Sequence, residues 1–248
     1  MKKYTWKPDL PDHRDFIYKA ADVTLPPKVD LSVNCPPVYD QGELGSCTGN
    51  AIAGAIEYEQ IKKKVANYFI PSRLFIYYNE RVLEGTVKQD SGAMIRDGLK
   101  VVNTQGTCKE TTWPYIVSKF KRKPTKNAYK EGLNYQSKVY SRVNQDLISL
   151  KSCLASGDPF VFGFSVYESF ETAVVAKTGV VNIPTKTEKL LGGHAVLCVG
   201  YDDSTNRFKV RNSWGEKWGV NGYFTMPYDY LTNNNLADDL WVIKDIEI

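Results

Sequence analysis

Histidine is nearly absent from this 248-residue chain, which holds only His13 and His194. Zinc sites need ligands at short spacings, and with two imidazoles none appear, so neither a metal nor another cofactor is expected. Cysteine is sparse and odd in number: Cys35, Cys47, Cys108, Cys153 and Cys198. Five cysteines without close pairs make a poor disulfide framework, and only a Cys35–Cys108 bridge stays open. Charge of one sign is lacking too, since 32 basic and 28 acidic residues leave a net charge of +4. That balance gives no electrostatic footprint for a nucleic acid. No apolar run is long enough to span a membrane, and the lysines at the N-terminus lead into no apolar core of a signal peptide. As given, the chain is expected to be a cytoplasmic monomer without nucleic-acid or membrane partners. Secretion by another route, or a removed leader, stays open.

What the sequence does have is organised around Gln41-Gly42-Glu43-Leu44-Gly45-Ser46-Cys47 and the run behind it. Ala51, Ile52, Ala55, Ile56, Tyr58 and Ile61 recur at helical spacing, and their small size suits a central helix packed closely by other backbone. Lys62, Lys63 and Lys64 close it where the helix dipole is negative. Cys47 therefore stands at the positive N-terminus of a buried helix, which favours a thiolate and predicts a lowered pKa. Alone, a cysteine in this position is more often a small buried residue than a nucleophile.

Two more helices are expected over Ser72–Asn79 and Gly92–Val102, the latter ending near Gly106, and a fourth over Asn144–Ser156. Residues 116–145, with Lys119-Phe120-Lys121-Arg122-Lys123, read as a solvated basic loop. Strands follow at 160–164, 179–183, 195–201, 208–212, 222–226 and 239–243. Helices first and strands second predict an α+β fold. Residues 1–24 read as an extended arm. Residues 25–248 form the main domain, with a helical lobe near 40–143 and a β lobe from 25–39 and 144–248.

Attack of a cysteine on a carbonyl needs a base, a group that fixes the base, and donors for the oxyanion. His194 starts an apolar strand between glycines and alanine; alone it reads as a satisfied core histidine. Asn212 precedes Ser213-Trp214-Gly215, alone a turn signal. Gln41 has an amide able to turn back beside the sulfur, although Gln-Gly alone means only a turn.

Taken together, Gln-x5-Cys, Gly-Gly-His-Ala-Val and Asn-Ser-Trp-Gly-x2-Trp-Gly-x2-Gly-Tyr resemble the papain-like cysteine peptidases from about Leu25 to the C-terminus. The resemblance implies a two-lobed fold, a long central helix beside an antiparallel β-barrel-like lobe. It also implies a polypeptide substrate, with Cys47 as nucleophile, His194 as general base and acid, Asn212 orienting the ring, Gln41 at the oxyanion, and Trp214 over the His–Asn hydrogen bond. Leu44 replaces the family's usual cysteine, and Thr48 its usual aromatic residue. Gly192-Gly193-His194 resembles the cathepsin B branch, but the paired histidines of its occluding loop are missing.

By the same resemblance, Gly45, Gly92 and Gly193 border the substrate backbone. Met94, Gly163 and Ala195 line the main specificity pocket, apolar and fairly roomy. At its far end Asp238 or Asp239 would admit a basic side chain, and Trp241 would shorten it. The arm has two readings. Either it packs on the β lobe through Trp6, Phe16, Ile17 and Tyr18, with Arg14 and Asp15 in local ion pairs, or part of it crosses the cleft. Two other functions compete with an endopeptidase: a silent peptide-binding pseudoenzyme, and a Cys-His amidase or acyltransferase.

Overall fold

The computed structural model describes residues 2–19 and 24–247; Met1 and residues 20–23 of the arm, with Ile248 of the main domain, lie outside them. Helix α1 spans Cys47–Lys62, and 14 of its residues, Cys47 to Gln60, are buried. The expected apolar stripe is thus a helix covered on all sides, with Asn50, Glu57 and Gln60 inside as well. Small residues make this feasible. A Cβ at Gly49 would lie 2.8 Å from Arg73 O on the neighbouring helix, and one at Gly54 would lie 3.3 Å from Arg211 Nε.

Ser72 caps α2 (Arg73–Leu83) by accepting the Phe75 N–H. With α3 (Ile95–Thr104) it encloses a small core of Leu74, Phe75, Tyr77, Val101, Cys108 and Trp113. The basic stretch, expected to be all loop, contains α4 (Lys126–Gly132) and strand β2 (Ser137–Arg142). Thr125 caps α4, and β2 pairs along β7 (Ala237–Ile246), so partner backbone decides a strand that composition alone does not announce. Cys153 lies in α5 (Leu147–Ala155), a small core residue as expected.

The sheet is antiparallel and ordered β2-β7-β3-β4-β5-β6, with β1 (Lys28–Asp30) added on β4. Here β3 is Phe160–Tyr167, β4 Leu190–Asp202, β5 Arg207–Arg211 and β6 Tyr223–Pro227. The barrel-like lobe is this antiparallel sheet, which stays open rather than closing on itself. Each edge is covered by irregular chain instead of by the other edge. Arg142 of β2 exchanges backbone hydrogen bonds with Phe16 and Tyr18 of the arm, and Thr225 of β6 does so with Gly179 and Val181. The expected strand at 179–183 is only that bridge.

Alternation sorts the sheet's two faces. Phe160, Phe162, Phe164, Val196 and Cys198 point into one core. Val161, Ala195, Leu197 and Val199 share a second core with α1. The N-terminus of α1 thereby meets the start of β4, which brings Cys47 to the residues around His194. All five cysteines are free, Cys35 and Cys108 included.

Candidate active site

His194 is fully buried, and its Nε2 lies 2.9 Å from Asn212 Oδ1. The same oxygen accepts the Ser213 N–H at 2.8 Å, so Nε2 must bring the proton to it. The imidazole is then the Nε2–H tautomer, with the lone pair on Nδ1. Nδ1 is buried and has no hydrogen-bond partner among the described residues. Trp214 stacks on the ring, centroids 5.1 Å apart at 26°. Phe164 and Tyr4 meet its other sides edge-on. An aromatic shell of this kind keeps water off the His194–Asn212 hydrogen bond.

Cys47 is the first residue of α1 and is fully buried. The backbone N–H groups of Ala195, Thr48 and Cys47 itself face the sulfur and favour its charged form. Gln41 is held from both ends of its amide. Oε1 accepts from Ser213 Oγ at 2.6 Å, and Nε2 donates to Leu44 O at 2.9 Å. The amide nitrogen carries two hydrogens, so one is left for an incoming oxygen. Ser213, read from sequence only as a turn residue, is the link: its N–H fixes Asn212 and its hydroxyl fixes Gln41.

The lowered thiol pKa expected at a helix N-terminus is not found in this conformation. Burial pushes the Cys47 thiol up to about 12, and it pushes His194 down to about 4. Desolvation of a fully buried charge outweighs a helix dipole worth about 0.3–1 kcal/mol. Glu80 adds to the effect. Its carboxyl is buried, accepts from Thr48 Oγ1 at 2.7 Å, and is pushed up to about 8. A glutamate facing inward from α2 was not anticipated, because acids on helices are usually solvated.

The N-terminal arm covers these groups. Thr5 forms a parallel bridge with Gly193, and Trp6 N–H donates to Gly193 O at 2.9 Å. Thr5 Oγ1 donates to Gly45 O at 2.9 Å on the opposite wall. The Thr5 carbonyl occupies the place of any Cβ at Gly92, whose φ of +68° already calls for glycine. Tyr4 packs edge-on to Trp214 and hydrogen-bonds Glu171. Lys2 lies 5.2 Å above the Trp214 ring, where its charge opposes protonation of His194.

Beyond Trp6 the arm is clasped by charge. Asp15 pairs with Arg96 at 2.5 Å and with Arg142 at 3.2 Å, rather than locally as the sequence suggested. Arg14 does pair locally, with Asp12. Phe16 and Ile17 are exposed, so they are not the apolar anchors expected, whereas Tyr18 hydrogen-bonds Asp158.

A family model for papain family cysteine proteases matches residues 25–240. This chain belongs to the papain family. Its structure superposes on that of xylellain, a cysteine protease from Xylella fastidiosa, with a TM-score of 0.92 and 52% identity, over 97% of this chain and 95% of that one. An uncharacterized peptidase C1-like protein of Acanthamoeba polyphaga mimivirus is 50% identical over 84% of this chain and 69% of its own length. A Giardia intestinalis cathepsin B-like protein is 29% identical over 76% of this chain, which spans 63% of that relative. The chain is a papain-family cysteine peptidase, a hydrolase.

Within this papain-family cleft, Gly45, Gly92, Gly163 and Gly193 all border the arm. Ala195 lies on the same face, paired with Gly163. Met94 lines a groove together with Lys7 and Leu10 of the arm. Asp239 is not open to a basic substrate side chain: it is buried, accepts the Asp9 N–H and faces Arg142. Trp241 is buried too, and its indole N–H donates to Asp9. Tyr4 and Asp9, missed in the sequence, sit in a polar, proline-punctuated stretch whose pattern carries no periodicity.

Proposed function

We propose that this papain-family chain hydrolyses peptide bonds through Cys47 and His194, and that the conformation described is its closed state. The observation carrying this reading is the bare Nδ1 of His194, buried beside the helix start while Nε2 is fixed by Asn212.

When the arm leaves, water and substrate reach both groups and the desolvation that opposes their charges falls. Nδ1 takes the Cys47 thiol proton, and the thiolate attacks the substrate carbonyl carbon. The oxygen's developing charge is met by the Cys47 N–H and the free amide hydrogen of Gln41. The imidazolium then gives its proton to the leaving nitrogen, the C–N bond breaks, and a thioester remains on Cys47. Water, deprotonated by Nδ1, attacks the thioester. The C–S bond breaks, the thiol regains its proton and the carboxylic acid product leaves. Asn212 holds the ring in one tautomer throughout, so its contribution is orientation.

The test is labelling with a peptidyl epoxide followed by digestion of a peptide library, on the whole chain and on Trp6→Ala. An adduct on Cys47 with cleavage supports the reading. An adduct without cleavage of any peptide would sink it in favour of another amide substrate.

A further inference from the structure

Trp6 is buried in a recess over Gly163 and Gly193, and on either side of it the arm is held by charge. Lys3 Nζ lies 2.5 Å from Asp90 Oδ2, and Lys7 Nζ lies 3.6 Å from Glu84 Oε2. The acids belong to the wall and the lysines only visit it. The Asp90 and Glu84 side chains are 9% and 7% exposed, those of Lys3 and Lys7 47% and 43%.

Both carboxylates are fixed by groups outside the arm. Asp90 accepts the Gly45 N–H at 3.0 Å and the Tyr77 hydroxyl at 2.6 Å, and the Tyr77 oxygen accepts the Gly92 N–H at 3.1 Å. Glu84 accepts the Met94 N–H at 2.8 Å. These donors remain when the arm leaves, so the carboxylates keep their places and lose only their counter-charge. Burial pushes the Glu84 carboxyl up, and the Met94 N–H and the Lys7 ammonium act against that rise. A carboxylate so little exposed is costly without a cation, because few waters can replace the ion. Asp40, which faces Lys2 at 3.7 Å, is 61% exposed and gains little from its partner. The demand for a cation is therefore at Asp90 and Glu84. Asp90 is tied to Gly45, two residues before Cys47, which places that demand beside the nucleophile.

We propose that Asp90 and Glu84, once the arm has left, select polypeptide substrates carrying lysine or arginine near the cleaved bond. The proposal deepens the peptidase reading and rests on it for the cleavage step alone. Lys3 and Lys7 are then the arm's imitation of such a substrate. The chain as a whole carries a charge of +4, so its attraction for a cationic peptide is local to this wall.

Random peptides are digested with Trp6→Ala and with Trp6→Ala plus Asp90→Asn and Glu84→Gln, and the products sequenced. Lys and Arg should be enriched over Gln near the cut by about fivefold or more, the upper scale of an exposed ion pair. The amides keep an oxygen for the Gly45 and Met94 N–H groups and remove the charge. They should erase the enrichment while cleavage of neutral peptides continues. Cleavage without basic enrichment, or enrichment that survives both amides, overturns the proposal. Binding separates the two readings. An acetylated lysine-centred tripeptide amide should bind the full chain carrying Trp6→Ala and Cys47→Ala about fivefold tighter than its glutamine counterpart in low salt, and the two should converge in high salt. Equal affinity in low salt overturns the role of the acids whether or not peptides are cut. Tighter binding with no cleavage by the Cys47 chain keeps that role and rejects the peptidase. The parent chain gives a check that does not need the opened variant to fold, since closure by the arm weakens both peptides alike. Protecting its Cys47 from iodoacetamide should take severalfold less of the lysine peptide than of the glutamine peptide, and equal protection counts against the proposal.

Discussion

The Asp9 N–H donates to Asp239 Oδ2 at 2.7 Å, which puts two carboxyl groups, each under a tenth exposed, into one site. Asp9 also accepts from the Arg96 N–H, the Trp241 indole and Arg142. Arg142 further faces Asp15, Asp238 and Asp239. Asp12 and His13 also line the adjacent cavity. Burial raises both carboxyls, Asp239 to about 8. Undocking removes Asp9 and part of that burial and so lowers the Asp239 pKa, which means that docking the arm takes up a proton on the acid side of 8. The resulting stabilisation is present in acid and is lost as pH rises through about 8. Hydrogen exchange checks this: protection of the Trp6 amide, corrected for intrinsic rate, should fall severalfold between pH 7 and 9. It should stay flat in Asp239→Asn.

Trp6→Ala should open the cleft. The expected outcome is a rise in kcat/KM for a small peptide substrate of about tenfold or more. A stability loss of about 3–5 kcal/mol should accompany it, as for other buried aromatic truncations. Unchanged activity in a folded variant would mean that the arm does not limit access.

Cys47→Ala and His194→Ala, each made in the opened chain, should abolish turnover to a similar degree, because the two act as a unit. Asn212→Ala should retain partial activity, since the ring keeps its Nδ1 lone pair and loses only its brace. Steady-state rates for the three variants decide the ranking. Equal loss in Asn212→Ala would assign that amide more than orientation.

Glu80→Gln probes the buried acid beneath the nucleophile. Glu80 titrates near 8 when folded and near 4.3 when unfolded, so its contribution to stability is full below pH 4.3 and is lost as pH rises through 8. The variant keeps an acceptor for Thr48 without that loss. Its Tm relative to the parent should therefore climb steadily from pH 5 to pH 8, as read by thermal melts in matched buffers. A constant difference would rule out Glu80 as a titrating group.

The parts of this molecule legible in the sequence are those where one side chain meets one need. Cys47 before a run of small residues, His194 between glycines and alanine, and Asn212-Ser213-Trp214 each had a bland reading alone and stood out only in combination, and the fold brings them together. What did not show is decided by distant backbone. Ser137–Arg142 is a strand because β7 offers it a ladder, not because its residues favour one. The thiol's raised pKa follows from covering residues that lie more than forty positions away in sequence. Spacing arguments see the helix dipole and cannot see the arm that desolvates it.

Trp6 stands three residues from the Asp9 anchor, and that short span sets the terms on which any outside peptide competes. A released Trp6 that stays tethered at Asp9 remains at an effective concentration in the millimolar range around its recess. A substrate therefore contends with an internal rival that dilution never removes. Its apparent KM is multiplied by the factor favouring closure, while kcat at saturation stays that of the open chain.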